Sequence, residues 1–241
     1  MARKPARKPA GRSPRPASAG ATAAPATPTT DREKIVAAFL TLLADERFES
    51  IGLADVAAQA GVSLAQLRDE FPSMLAILAA HIKATDRAVL AADISDMAEE
   101  PERERLFDVL MRRIEALAPH KEALRSLLRS AMRDPGLALA LNAMAVRSQQ
   151  WMLAAADISS SGPRGLVRAQ GLALLFARAL RTFVDDDDEG HARTMAVLDR
   201  ELARGARWVG LLDDLCRFVP RCRPRRRRAR ERDEGDEVVA A

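Results

Sequence analysis

Few residues in this chain of 241 combine the types and spacing that chemistry needs. The three histidines, His81, His120 and His191, fall on separate expected helices or at their ends, and no HExxH, glycine-rich phosphate loop or GxSxG accompanies them. No metal-assisted, phosphoryl-transfer or nucleophilic centre is therefore legible. Cys216 and Cys222 lack His or Cys companions at metal-ligand spacing, and a reducing, cytoplasmic setting is the simplest reading of so few thiols. The expectation is a non-enzyme with no cofactor and no metal. One short stretch differs. Ser63, Gln66 and Arg68 place a hydroxyl, a carboxamide and a guanidinium within six residues. Such groups hydrogen-bond base edges and phosphates, glutamine matching adenine and arginine matching guanine in a DNA major groove.

The elements around these residues are short and sharply punctuated. Ile35, Phe39, Leu42 and Leu43 recur with a helical period. Thr30 followed by Glu33 is a capping-box pattern, so the first helix is expected to begin at about Asp31. Phe48 and Ile51 carry apolar surface across a bend, and Leu53 to Ala60 reads as a compact second helix closed by Gly61. Ser63 then caps a third helix from Leu64 to Phe71, Pro72 stops it, and Ser73 caps a fourth that runs through Ala91. Two helices joined by a short Gly-containing turn form a helix-turn-helix, the motif that sets one helix into the major groove.

The pattern Phe48, Leu53, Asp55, Val56, Ala57, Ala60, Gly61, Val62, Ser63, Leu67, Phe71, Pro72 and Ser73 closely resembles the N-terminal domain of TetR/AcrR-type regulators. The resemblance covers roughly fifty residues. It implies an all-α homodimer whose N-terminal domain binds double-stranded operator DNA and regulates transcription. It also implies a helical C-terminal domain that binds a small ligand and dimerises through its last two long helices. The domains then run 1–30 (a basic tail), 31–80 (the helix-turn-helix domain), 81–219 (the ligand and dimerisation domain) and 220–241 (an Arg-rich tail).

The chain departs from the family where phosphate is usually touched. The resemblance leads one to expect Thr at Ile51, a polar residue such as Lys at Leu64, Thr at Gln66, Tyr at Arg68, His at Asp69 and Glu70, and Lys at Met74. Leu64 to Glu70 instead holds one Arg against two acids, and carboxylates repel phosphates, which supply much of DNA affinity. Ser63, Gln66 and Arg68 are the remaining candidate DNA-binding residues. For Arg68 two readings stand, a DNA contact and a surface charge beside Asp69 and Glu70.

With 48% hydrophobic residues the chain is long enough to bury a substantial core, while 4% aromatics and no Tyr leave almost no strand signal. No run of eighteen apolar residues is present, which argues against a membrane span, and no apolar stretch of signal-peptide type follows the basic start. The net charge of +4 hides an uneven distribution. Residues 1–30 carry six Lys and Arg and no acid, residues 221–241 carry eight Arg against five acids, and the 190 between them sum to −5. The Pro-, Ala- and Ser-rich start cannot bury enough surface to fold. Three readings of it compete: an inert tail, an arm that binds nucleic acid without sequence preference, and a transit peptide, against which its prolines argue.

In the C-terminal half, Phe107, Leu110, Met111, Ile114 and Leu117 form one apolar stripe, on a helix expected to start at Pro101. Pro119 opens the next, with Leu124, Leu127, Leu128 and Met132 facing inward. Long helices are expected at 137–156, 166–184 and 191–208. Gly165, Ala169, Gly171, Ala173 and Ala177 leave one of them smooth, for a dimer contact or for intrachain packing. Met111, Met144, Trp151, Leu172 and Phe176 are candidates to line a pocket for a small apolar ligand, as well as for ordinary core.

Residues 208–219 form an amphipathic segment followed by Arg221, Arg223 and Arg225 to Arg228. It reads as packing on the body or as a site for an anionic membrane surface. Together with the lost phosphate contacts and the stretch from Thr194 to Leu202, it gives a looser similarity to the TetR-fold lipid-binding accessory proteins of ubiquinone biosynthesis. That similarity implies an alternative function, binding of a lipid or isoprenoid quinone by a protein that docks on membranes and no longer reads DNA.

Overall fold

The computed structural model describes residues 30–92, 97 and 99–218, with side chains described as far as 205. The described residues are helical throughout, with no strand among them. Four helices make the N-terminal head: α1 (Asp31–Asp45), α2 (Leu53–Ala60), α3 (Leu64–Glu70) and α4 (Met74–Leu90). A 3₁₀ turn at Phe48–Ser50 links the first two. The body comprises α5 (Glu102–Leu117), α6 (Lys121–Ala131), α7 (Pro135–Ala155), α8 (Gly162–Val184) and α9 (Ala192–Phe218).

Local chemistry sets the head's boundaries. Thr30 Oγ1 accepts from the Glu33 N–H, and Glu33 Oε2 accepts in return from the Thr30 N–H, both at 3.2 Å. This reciprocal pairing satisfies two of the donors that a helix start leaves open. Gly61 sits at φ +67°, a left-handed conformation that glycine adopts without steric cost, and so closes α2. Ser63 caps α3, and Ser73 Oγ accepts from Ala76 N to start α4. Ile35, Phe39 and Leu43 from α1, Val56 from α2, Leu67 from α3, Phe71 just past its end, and Ile77 and Leu78 from α4 bury one shared core.

That core does not stop at the head. Ala123 and Leu127 of α6 and Leu137 of α7 belong to it. Ser126 Oγ donates to the Glu46 carbonyl at 2.5 Å, and the Phe48 N–H donates to Ser130 Oγ at 3.2 Å. The head is thus moored to α6 at the far end of α1, while α4 runs unbroken from the head core into the body, where Val89 joins the second core. That second core is built from α5, α7, α8 and α9 around Leu110, Ile114, Met152, Phe176, Phe183 and Leu198.

Several expected details shift. Pro101 stands just before α5 as its N-cap. Met132 lies past the end of α6 and is exposed instead of facing inward. Helix α7 starts at Pro135, two residues ahead of the expected start, because Asp134 caps it by accepting from the N–H groups of Gly136 and Leu137. On α8, Gly165, Ala169 and Ala173 face inward, and a Cβ at Gly165 would lie 2.0 Å from the Ser160 carbonyl carbon. The small residues on that stripe therefore serve intrachain packing, while Gly171 faces outward. Helix α9 continues as one piece through the segment expected to be a separate amphipathic helix. The side chains of residues 206–218, the Arg-rich tail and the basic first twenty-nine residues lie outside the described residues.

Candidate nucleic-acid interface

Helix α3 stands on the head surface with Leu67 as its buried anchor. Leu64, Ala65, Gln66, Arg68, Asp69 and Glu70 are all exposed. Ser63, Gln66 and Arg68, the sequence-derived candidates, are thus on one surface element, and each already holds a partner.

Ser63 and Gln66 close on one another. Gln66 Oε1 accepts from the Ser63 N–H at 2.9 Å and from Ser63 Oγ at 2.8 Å, while the Gln66 N–H donates to Ser63 Oγ at 3.2 Å. Gln66 Nε2 then donates to Asp31 Oδ2 of α1 at 3.3 Å. Arg68 Nη1 donates to the Pro72 carbonyl at 3.0 Å. A guanidinium has five N–H donors, so Arg68 keeps others to offer.

Sequence reading missed the contacts that join α1 to α3, because they link residues more than thirty apart. Arg32 Nη1 donates to the Glu70 carbonyl at 3.1 Å and to Glu70 Oε2 at 3.3 Å, and its guanidinium lies 4.3 Å from the centre of the Phe71 ring. Arg32 thereby offsets one of the two carboxylates that make α3 acidic. The Gln66 bond and the Arg32 bonds together fix the first turn of α1 beside α3, so residue 30 emerges next to it.

The five pocket candidates do not converge. Met111, Leu172 and Phe176 are buried together in the body core. Met144 packs on the head-side core, and Trp151 is 60% exposed on α7. Near Phe176 the body holds a polar network that was not anticipated. Asp86 on α4 and Arg113 on α5 form a buried ion pair, and Asp86 Oδ1 also accepts from Ser148 Oγ of α7 at 2.7 Å. The Arg113 guanidinium carbon lies 5.5 Å from the centre of the Phe176 ring. Among the described residues, Arg113 Nε and Gln149 Oε1 are buried with no hydrogen-bond partner. A signal for this network was present: Arg113 sits on the same helical stripe as Leu106, Leu110 and Leu117, where a charge must find a buried partner.

His81 and His120 meet edge to face with ring centres 5.0 Å apart. Burial pushes the His81 imidazole down to about 4, with His120 and Arg113 adding repulsion, and burial also lowers His120. Both rings are neutral near pH 7 and act as packing groups. His191 packs edge to face on Phe183. No cluster of three or more His, Cys, Asp or Glu at metal-binding geometry is found among the described residues, and no helix among them is long and apolar enough to cross a membrane.

The architecture has solved counterparts. A TetR transcriptional regulator from Nitrosomonas europaea ATCC 19718 superposes with a TM-score of 0.58 at 22% identity, over 74% of this chain and 99% of that one. A TetR transcriptional regulator from Rhodococcus sp. RHA1 does so with 0.53 at 18% identity, over 73% and 95%. The chain has the TetR fold. No family model and no curated protein matches its sequence. In this TetR-type fold α2 and α3 form the helix-turn-helix, and the Gly61 turn and the Ser63 cap set the angle between them.

Proposed function

We propose that the chain is a DNA-binding transcriptional regulator that acts as a homodimer, with the head (residues 31–80) laying α3 in the major groove of double-stranded DNA. One observation carries the reading: the bond from Gln66 Nε2 to Asp31 Oδ2 puts the start of α1 beside α3. Residue 30 therefore stands beside the reading helix, and the sequence that precedes it carries six cations and no acid, charge that can add the phosphate affinity α3 lacks. Arg68 has the most N–H donors on α3 left for a base or a phosphate, and Gln66 Nε2 keeps its second N–H. Ser63 and Gln66 hold the helix end in register.

Two copies would present two α3 helices to half-sites about 34 Å apart. Leu166, Val167 and Leu174 on α8 and Met195 on α9 are exposed apolar residues that a second copy would cover. A small apolar ligand would find Met111, Leu172 and Phe176 in the body, and its effect would pass to the head through α4, which belongs to both cores. Light scattering of the purified chain and selection of genomic DNA fragments test the reading together. A dimer that enriches a palindrome supports it, and a monomer without sequence preference refutes it.

A further inference from the structure

We propose that Leu64, flanked by Ala65, is a specificity-determining residue that reads thymine methyl groups, so that the operator is recognised in large part through apolar contacts. The inference rests on the reading of α3 as the helix that enters the major groove. It starts from the occupancy of the polar side chains there. Gln66 has its oxygen filled twice by Ser63 and its Nε2 held by Asp31. A bidentate contact from Gln66 to adenine can use the second N–H of Nε2 but also needs Oε1, which Ser63 fills twice, so it would give up bonding to the Ser63 cap, an exchange with little net gain. Arg68 points its Nη1 to Pro72, at the C-terminal end of α3.

What the N-terminal end of α3 presents freely is aliphatic. Leu64 is its first residue and is 57% exposed, although Leu67 one turn on is buried; Ala65 beside it is exposed as well. The N-terminal residues of such a helix are those that meet base edges. Among the features of the major groove, the C5-methyl of thymine is the apolar one, and aliphatic side chains pack against it. A leucine there favours T·A pairs by burying a methyl. It also disfavours pairs that present a polar edge, because it desolvates groups it cannot satisfy.

The test uses the full chain and the DNA sequence it selects best from a fragment library. Each thymine of a half-site is replaced in turn by uracil, which differs only in lacking the methyl. One or two positions per half-site are expected to lose about four-fold in affinity, the effect of one methyl-sized apolar contact. Leu64→Ala, a surface change that leaves the head core intact, is expected to bind the same site with that penalty erased. Gln66→Ala is expected to keep the penalty. Equal affinity for thymine and uracil at every position, or an undiminished penalty in Leu64→Ala, overturns the inference while leaving sequence-selective binding in place. Failure to select any sequence overturns the DNA reading beneath it.

Discussion

Asp31 on α1 accepts a hydrogen bond from Gln66 on α3 across 3.3 Å, and it also pairs with Lys34 at 2.9 Å. This carboxylate stands beside the helix that is to approach phosphates, so it opposes binding even as it positions Gln66. Asp31→Asn keeps a carbonyl oxygen for Gln66 and removes the charge. We expect the variant to bind DNA a few-fold more tightly at low salt, the gain shrinking as salt screens it. A titration at two salt concentrations checks this, and unchanged or weaker affinity at low salt would count against the placement of α3 on the DNA.

Deletion of residues 1–28 removes six cations and no acid. We expect all DNA sequences to lose affinity alike, and the slope of log affinity against log salt to flatten by at most about 5. A truncated chain with the original slope would show that the basic start does not touch DNA.

Asp86 and Arg113 tie α4 to α5 inside the body. Replacing either partner alone strands a buried charge, and we expect Asp86→Leu or Arg113→Met to cost about 3–5 kcal/mol. The double change Asp86→Leu with Arg113→Met should recover most of that loss. Urea midpoints of the three variants measure it, and additive losses in the double variant would show that the two residues are not coupled.

Acid should weaken the fold through His81. Its folded imidazole takes a proton only near 4, whereas an unfolded chain does so near 6.5. Between those values the unfolded state binds the extra proton, so stability falls as the pH drops from 6.5 to 4, by up to about 1.4 kcal/mol per unit. His81→Gln should flatten the stability profile in that window and leave it unchanged above pH 7.

Gly61 occupies a left-handed conformation with open space around its Cα. Gly61→Ala meets no clash and pays only the backbone cost, about 1–2 kcal/mol. Thermal unfolding reads this directly, and a neutral effect would mean that the turn relaxes to another conformation.

The head was legible because its signals are local. The pairing of Thr30 with Glu33, the Gly61 turn and the Ser63 and Ser73 caps each act within four residues, and each is found where the sequence places it. What escaped is tertiary. That Gln66 would be tied to Asp31, or Arg32 to Glu70, depends on how α1 crosses α3, and no periodicity records that. The pocket candidates were chosen for adaptable apolar character, which core and surface residues share, so Trp151 came out exposed while Phe176 came out buried. Arg113 stands out by its place on an apolar stripe, but its partner Asp86 lies 27 residues away, and Ser148, which donates to Asp86, lies 62 from that carboxylate.

The most direct test of DNA recognition by α3 is selection of genomic fragments by the full-length protein at near-physiological salt, repeated after deletion of residues 1–28. The account predicts a thymine-containing palindrome with half-sites one helical turn apart, the same motif being selected more weakly by the truncated chain. Binding that ignores sequence and disappears with residues 1–28 would contradict it, leaving the helix-turn-helix as a scaffold without a reading role.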